Sequence, residues 1–416
     1  MYPNLYIAAK DLFGFEIPFL KMINSFGLFV ALAFITAGFF LKKELIRKTS
    51  MGYFLPQEST VLVGAPPSFI NITIQSALGF VFGWKFVYLM INADKLFDHL
   101  NTPQELLFNF QGNLIYGIVG ALLFGGYYYW EINKKRLIEP QTKKVTIQPH
   151  EHMGSLLTVA AIGGIVGAKL FHLIEDPESL REFFSQPSLQ SFIGGLNIYG
   201  GLIIGGLSVA IYARIYNFNF LHLADATAPS LMLAYGVGRI GCQVSGDGDW
   251  GKVNNNPKPE VLNWAPDWAW KYHFPNNVFN SYYRMSPDGT VREKIARDIK
   301  FGEEWTSYAS EGFGKVLIEP VYPTSFYETL MAIAIFCILW SLRRRIKTVG
   351  VLFSIYLIFN GIERLLIEQI RVNVNFLGLP ITQAELISLL LITCGILLFA
   401  YLGRNRQTVS ATHIPK

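Results

Sequence analysis

Three arginines lie within or at the end of long apolar stretches, where an ionisable side chain costs several kcal/mol unless it is paired or faces water. They are Arg239, Arg364 and Arg371, and Arg239 stands in a Gly-Arg-Ile-Gly sequence that allows close approach of a ligand or a second backbone. A guanidinium group offers a fork of donors that matches phosphate oxygens, so the three arginines predict a phosphate-binding site. The alternative is that Arg364 and Arg371 pair with Glu368 or reach toward lipid headgroups.

Other polar residues occupy comparable positions. Spacings of four and seven residues place Arg364, Glu368 and Arg371 on one face of a helix. Asn197 and Tyr199 interrupt a glycine-rich stretch at 194–206, which favours close helix packing in the first place. Packing alone does not account for the two polar side chains.

An acidic segment after Arg239 resembles the beginning of a calcium-binding loop. It runs Asp247-Gly248-Asp249-Trp250-Gly251, but the twelfth position is Lys258, where a calcium loop requires a bidentate glutamate. The sequence therefore predicts no metal site here.

The composition is that of an integral membrane protein. Hydrophobic residues make up 51% and charged residues 16% of 416 residues, and the mean hydropathy is +0.32. The net charge of +5 reflects basic loops that orient membrane helices, so nucleic-acid binding is not expected. No cofactor is predicted.

Apolar stretches of about 20 residues predict an all-α polytopic bundle of about nine transmembrane helices. The predicted spans are Ile23–Leu41, Ile70–Ile91, Asn113–Trp130, Gly154–Ile174, Ser191–Tyr216, His222–Val244, Ser325–Leu342, Gly350–Ile367 and Ile381–Leu402. Basic clusters follow the odd-numbered spans, which predicts an external N-terminus and a cytoplasmic C-terminus. The chain accordingly divides into residues 1–244 with six helices, an extracytoplasmic subdomain at 245–324, three helices at 325–403 and a tail at 404–416.

Four motifs occur in order along the chain and, in this topology, on one side of the membrane. They are GGLNIYGG (194–201), GVGRIG (236–241), YPTSFYE (322–328) and RLLIEQIR (364–371). Together they resemble the prolipoprotein diacylglyceryl transferase family over about Gly154 to Arg371.

The resemblance implies a function and a set of site residues. It implies transfer of the diacylglyceryl group of phosphatidylglycerol to the lipobox cysteine of a prolipoprotein, with release of glycerol phosphate, among the lipids of a bacterial plasma (inner) membrane. It implies catalytic roles for Arg239, Arg364, Tyr199 and Glu368, and substrate contacts from Arg239, Arg364, Arg371, Asn197, Gly200, Asp247, Tyr327 and Glu328. Arg239 and Arg364 would hold the phosphate and offset its growing charge.

The sequence also departs from the family pattern. Tyr199 stands where many members have His, Cys242 where Asn is usual, Phe26 where Tyr is common and Tyr322 where His is frequent. Residues 70–130 add a helix pair, and the 245–324 segment is longer than usual. A tyrosine is a poor base at pH 7, so Glu368 or Asp247 is expected to accept the thiol proton.

These departures leave two alternatives to the transferase. One is a catalytically altered or inactive homologue that acts as a lipid-binding scaffold. The other is a small-solute transporter, which typically has an internal pseudo-symmetry that the sequence does not show.

Overall fold

The computed structural model describes residues 1–91, 112–185, 197–275, 282–285, 292–295, 317, 319–372 and 381–404. The chain divides into two compact units. The first comprises residues 1–13, 23–54 and 210–416, and the second comprises residues 14–22 and 55–209.

Helices dominate both units. In chain order they are α1 (Leu5–Phe13), α2 (Ser25–Ser50), α3 (Phe69–Ile91, with a π-helical turn at Phe82–Val87), α4 (Leu114–Lys134), α5 (Met153–Glu175), α6 (Pro177–Ser185), α7 (Ile198–Ile215), α8 (Phe220–Ser245), α9 (Thr324–Leu342), α10 (Val351–Glu368) and α11 (Gln383–Arg404). Two antiparallel strand pairs accompany them. They are β1 (Gln57–Val63) with β2 (Gln141–Ile147) and β3 (Tyr282–Met285) with β4 (Arg292–Ile295).

In the first unit, α8 packs against α2, α9 and α10, and α10 also packs against α11. The apolar core between α8, α9 and α10 includes Met232, Ala332, Leu339 and Leu352, all buried. Asn219 begins α8 by accepting a hydrogen bond from the backbone N–H of His222. This packing fixes the ends of α8, α9 and α10, which carry the charged residues.

In the second unit, glycines set the distance between neighbouring helices. A Cβ atom on Gly79 of α3 would overlap the carbonyl of Gly120 in α4, and one on Gly200 of α7 would overlap the carbonyl of Gly167 in α5. Gly200, Gly201 and Gly205 therefore serve close packing, as expected from their spacing, whereas Gly206 faces open space.

The strand pair β1–β2 was not predicted. It joins the residues after α2 to those before α5, with Gln57 opposite Ile147 and Val63 opposite Gln141. Its strands, QESTVLV and QTKKVTI, are seven residues long and largely polar, so a search for 20-residue apolar spans does not detect them.

Five helices are long and apolar enough to cross a membrane among the residues that the structure describes. They are Ser25–Ser50, Phe69–Ile91, Pro149–Glu175, Thr324–Leu342 and Gln383–Arg404. A helix also overlaps most of each of the other predicted spans, and α8 and α10 carry buried ionisable residues. The chain is thus a helical, multi-pass membrane protein, while nine crossings and the side of each terminus remain predictions.

Candidate functional site

The charged site forms where the C-terminal parts of α8 and α10 meet the beginning of α9. Glu328, which is 0% exposed, lies at its centre. Its Oε2 is 3.1 Å from Nε of Arg239, and its Oε1 is 3.2 Å from Nη1 of Arg364 and 3.4 Å from Nη1 of Arg371. Arg239 of α8 and the pair Arg364 and Arg371 at the end of α10 therefore converge on one buried carboxylate.

A second carboxylate, Asp249, bridges two of these arginines. It forms an ion pair with Arg239 and accepts a hydrogen bond from Nη2 of Arg371 at 2.7 Å. The family resemblance predicts Asp247 at this place instead. Within the described residues it is Asp249 that pairs with the arginines, while Asp247 accepts a hydrogen bond from the backbone N–H of Asp249 at 3.3 Å.

The loop that carries Asp249 is held by the beginning of α9. The hydroxyls of Thr324 and Ser325 donate to the carbonyl of Asp249 at 2.9 and 2.8 Å. Gly251 forms a β-bridge with Arg371, and a Cβ atom there would lie 2.8 Å from Cγ2 of Thr324. The YPTSFYE motif thus supplies both Glu328 and the hydroxyls that position Asp249.

Tyr235 and Glu363, which the sequence does not predict as site residues, also belong to the site. The hydroxyl of Tyr235 lies 3.0 Å from Oε1 of Glu328 and 3.4 Å from Oε1 of Glu363, and both glutamates are buried. The guanidinium of Arg239 lies 5.3 Å from the centre of the Tyr235 ring. Tyr235 precedes Arg239 by one helical turn, and this spacing was the available signal.

Of the other site residues predicted in the first unit, Glu368 belongs to this cluster and Tyr327 does not. The Oε2 atom of Glu368 is 3.4 Å from Nη2 of Arg364, and its Oε1 accepts from the hydroxyl of Thr382 at 2.6 Å. Tyr327 instead donates to the backbone carbonyl of Ala269 at 2.7 Å and so anchors the loop after α8 to α9.

Asn197, Tyr199 and Gly200 belong to the second unit. The side-chain oxygen of Asn197 accepts hydrogen bonds from the backbone N–H groups of Tyr199 (2.8 Å) and Gly200 (3.1 Å), as a helix N-cap does. Its side-chain amide donates to Glu175 at 2.6 Å. Helix packing alone did not explain Asn197. Its side chain caps the beginning of α7 and connects α7 to the end of α5.

The two loop aspartates have opposite electrostatic character. Burial acts to raise the pKa of Asp249, but the charges of Arg239 and Arg371 outweigh it and lower that pKa to about 2. Burial, followed by the charge of Asp249, raises the pKa of Asp247 above its ordinary value. Asp249 is thus a permanent anion, and Asp247 is the better proton acceptor.

A thiol lies beside these carboxylates. The ligand atoms of Cys242, Asp247 and Asp249 are within 4.8 Å of one another, a spacing that suits a metal ion. Asp249 already pairs with two guanidinium groups, whose charge repels a cation at this place. We therefore assign these residues to the arginine site.

The apolar helices and the buried arginine–carboxylate cluster define a membrane protein with a buried, charged site. The sequence profile of the prolipoprotein diacylglyceryl transferase family matches residues 116–401. The chain belongs to this family, which confirms the resemblance drawn from its motifs.

Several relatives carry the name phosphatidylglycerol–prolipoprotein diacylglyceryl transferase. The protein of Clostridium tetani is 27% identical over 298 residues, which cover 71% of this chain and 96% of the relative. That of Corynebacterium glutamicum is 27% identical over 253 residues (60% and 69%), and that of Staphylococcus aureus (strain MW2) is 26% identical over 296 residues (69% and 84%).

Proposed function

We propose that this protein transfers the diacylglyceryl group of phosphatidylglycerol to the lipobox cysteine of a prolipoprotein. The observation that carries the proposal is the convergence of Arg239, Arg364 and Arg371 on Glu328, in a chain of this family. Such a cluster binds a phosphate group within a water-poor site, where fixed positive charge acts most strongly.

In this reaction the cysteine sulfur attacks the glyceryl carbon that bears the phosphate ester. A carbon–sulfur bond forms as the carbon–oxygen bond breaks, and the electron pair leaves with the oxygen of glycerol phosphate. Negative charge therefore grows on the phosphate, next to the guanidinium groups. The thiol proton passes to a base, because the thiolate is the nucleophile.

The charges of the site determine how a phosphate enters. Three guanidinium groups face the ion-paired carboxylates of Asp249, Glu328 and Glu368, so the cluster has no unbalanced positive charge. An incoming phosphate must then replace a carboxylate as a partner of the arginines. Asp249 is the one to be replaced, since its side chain is 33% exposed and that of Glu328 is 0% exposed.

Asp247 is the proposed proton acceptor. Its raised pKa makes it a stronger base than Asp249, and it lies in the loop next to the arginine-bound carboxylate. Glu368 is less suited, because Arg364 and the hydroxyl of Thr382 already engage it. We assign Glu368 the task of orienting Arg364.

The second unit contributes to the proposal through its motif alone. The resemblance of GGLNIYGG to the family supports substrate-handling roles for Tyr199 and Gly200. Nine transmembrane helices, an external N-terminus and a bacterial plasma-membrane location complete the proposed arrangement, on the support of the basic loop clusters.

The decisive experiment is a transfer assay with purified protein in liposomes. Phosphatidylglycerol labelled in its diacylglyceryl group is mixed with a lipobox peptide or with the same peptide carrying Ser in place of Cys. We expect label on the cysteine peptide alone and an equal amount of glycerol phosphate. An unlabelled cysteine peptide would favour the lipid-binding scaffold, and solute flux without transfer would favour the transporter.

Asp247→Asn tests the proton acceptor in the same assay. We expect a rate lower by about a hundredfold or more, as for loss of a positioned base, with partial recovery at high pH where the thiol ionises unaided. Asp267→Asn is the matched control, since Asp267 lies in the same loop region with its side chain 83% exposed. An unchanged rate for Asp247→Asn would show that another group accepts the thiol proton.

A further inference from the structure

A second charged cluster lies at the opposite ends of α8, α9 and α10. It surrounds a cavity of about 90 Å³ between the C-terminal ends of α2 and α9 and the N-terminal ends of α8 and α10. By the same measure one water molecule needs about 10–15 Å³, so the cavity has room for several waters or for one phosphate group. Asp225, in its wall, precedes Arg239 by fourteen residues of α8, which is about 20 Å.

The carboxylates of this cluster are both engaged within the protein. Glu44 is 1% exposed, pairs with Arg47 and accepts a hydrogen bond from Nε of Arg343 at 3.0 Å. Asp225 accepts the backbone N–H groups of Gly350 (2.7 Å) and Phe353 (2.8 Å) at the beginning of α10, and its Oδ2 is 3.8 Å from Nζ of Lys48. Both carboxylates thus already have partners within the protein, and further cations around the cavity are not balanced by them.

Cations outnumber these carboxylates around the cavity. Its wall contains Arg47, Lys48, Arg343, Arg344 and Lys347. Five cations against Glu44 and Asp225 leave three positive charges at this end of the unit. Arg344 and Lys347 are the exposed cations among these lining residues.

A buried polar atom also lacks an internal partner. His222 is 5% exposed and lines the cavity, with its ring stacked on that of Tyr53 at 4.5 Å between centroids. Its Nδ1 has no hydrogen-bond partner among the described residues. A buried polar group of this kind is normally satisfied by water or a ligand.

We propose that this cavity binds the phosphate group of an anionic glycerophospholipid. The excess of guanidinium and ammonium groups matches a phosphodiester anion, and His222 offers one further hydrogen bond. The cavity lies where helices end, which in the proposed topology is the level of the lipid headgroups, and basic pockets between membrane helices bind such headgroups. This site is separate from the arginine–glutamate cluster and does not depend on transfer activity.

Lipid retention measured by native mass spectrometry tests the proposal. The protein, purified and stripped of lipid, is titrated with phosphatidylglycerol and separately with phosphatidylcholine. We expect the wild type to retain at least one more phosphatidylglycerol than the Arg344→Gln/Lys347→Gln variant, with affinity for that lipid at least tenfold weaker in the variant. Phosphatidylcholine should show no such difference.

Lys42→Gln/Arg345→Gln is the matched control. It removes two exposed cations, one from the C-terminal half of α2 and one from the turn after α9, and neither lines the cavity. Equal lipid loss in both variants overturns the proposal, because the effect is then general surface charge. Equal retention by the wild type and the cavity variant also overturns it.

Inorganic phosphate and glycerol phosphate distinguish a lipid from a soluble ligand. We expect neither, at millimolar concentration, to displace the retained phosphatidylglycerol. Displacement by either one, without lipid selectivity, would show a site for soluble phosphate and overturn the lipid assignment. Melting temperatures of all variants establish that each is folded.

Discussion

The two ends of α8, α9 and α10 bury charge in different proportions. At one end, carboxylates such as Asp249 and Glu328 each serve more than one arginine, and every arginine charge is matched by a carboxylate. At the other, cations exceed the carboxylates Glu44 and Asp225. A balanced cluster binds an anion only by exchange, which suits a substrate that must leave, whereas an excess of cations retains one.

This comparison requires the two ends to lie on opposite sides of a membrane. In a Cys337→Ala/Cys394→Ala background, where Cys242 is buried, we expect Arg345→Cys to react with an impermeant maleimide only from the cytoplasmic side and Val261→Cys only from outside. Val261 is 83% exposed in the loop after α8. Labelling of both cysteines from one side would reverse or remove the proposed topology.

Arginine substitutions at the balanced end should lower the rate of transfer far more than an arginine substitution at the cationic end. We expect Arg239→Gln and Arg364→Gln each to lower transfer by about 10²–10³-fold, because each removes a charged donor from the phosphate site. Arg345→Gln, an exposed arginine at the other end, is the control, and membrane abundance is measured alongside. Near-normal turnover in both site variants would contradict the proposal that Arg239 and Arg364 bind the phosphate.

Tyr199 tests whether the second unit takes part in the reaction. We expect Tyr199→Phe to lower transfer roughly a hundredfold and Tyr199→His to retain it, since His keeps a polar atom that can handle a proton. Tyr128→Phe, in α4 of the same unit, is the comparison for loss of a tyrosine hydroxyl. Full activity of Tyr199→Phe would make the hydroxyl purely structural.

The smallest expected effect concerns acid stability. The pKa of Asp249 is lowered to about 2, so its ionised form stabilises the folded protein above the ordinary value of about 4. That stabilisation is lost as pH falls through about 2. We therefore expect Asp249→Asn to lower the melting temperature in detergent at pH 6 and to match the wild type near pH 2. A difference that persists unchanged at pH 2 would contradict the ion-pair explanation.

Apolar length and motif order predicted the helices and brought Arg239, Glu328, Arg364 and Arg371 to attention. These features are readable because a membrane helix needs about 20 apolar residues, and a charge within one is conspicuous. The family followed from the same residues and is confirmed by the match over residues 116–401.

The tertiary structure decided which partners these charges have. Gly246 and Gly248 adopt positive φ angles of 63° and 97°, and the resulting loop directs Asp249 rather than Asp247 to the arginines. Spacing cannot choose between two aspartates two residues apart in an irregular loop, because no helical or strand period fixes their directions. The sequence also could not predict the contacts of Tyr235 or the group of cations around the cavity lined by His222 and Asp225. Their side chains meet partners from distant segments, and only helix packing sets those distances.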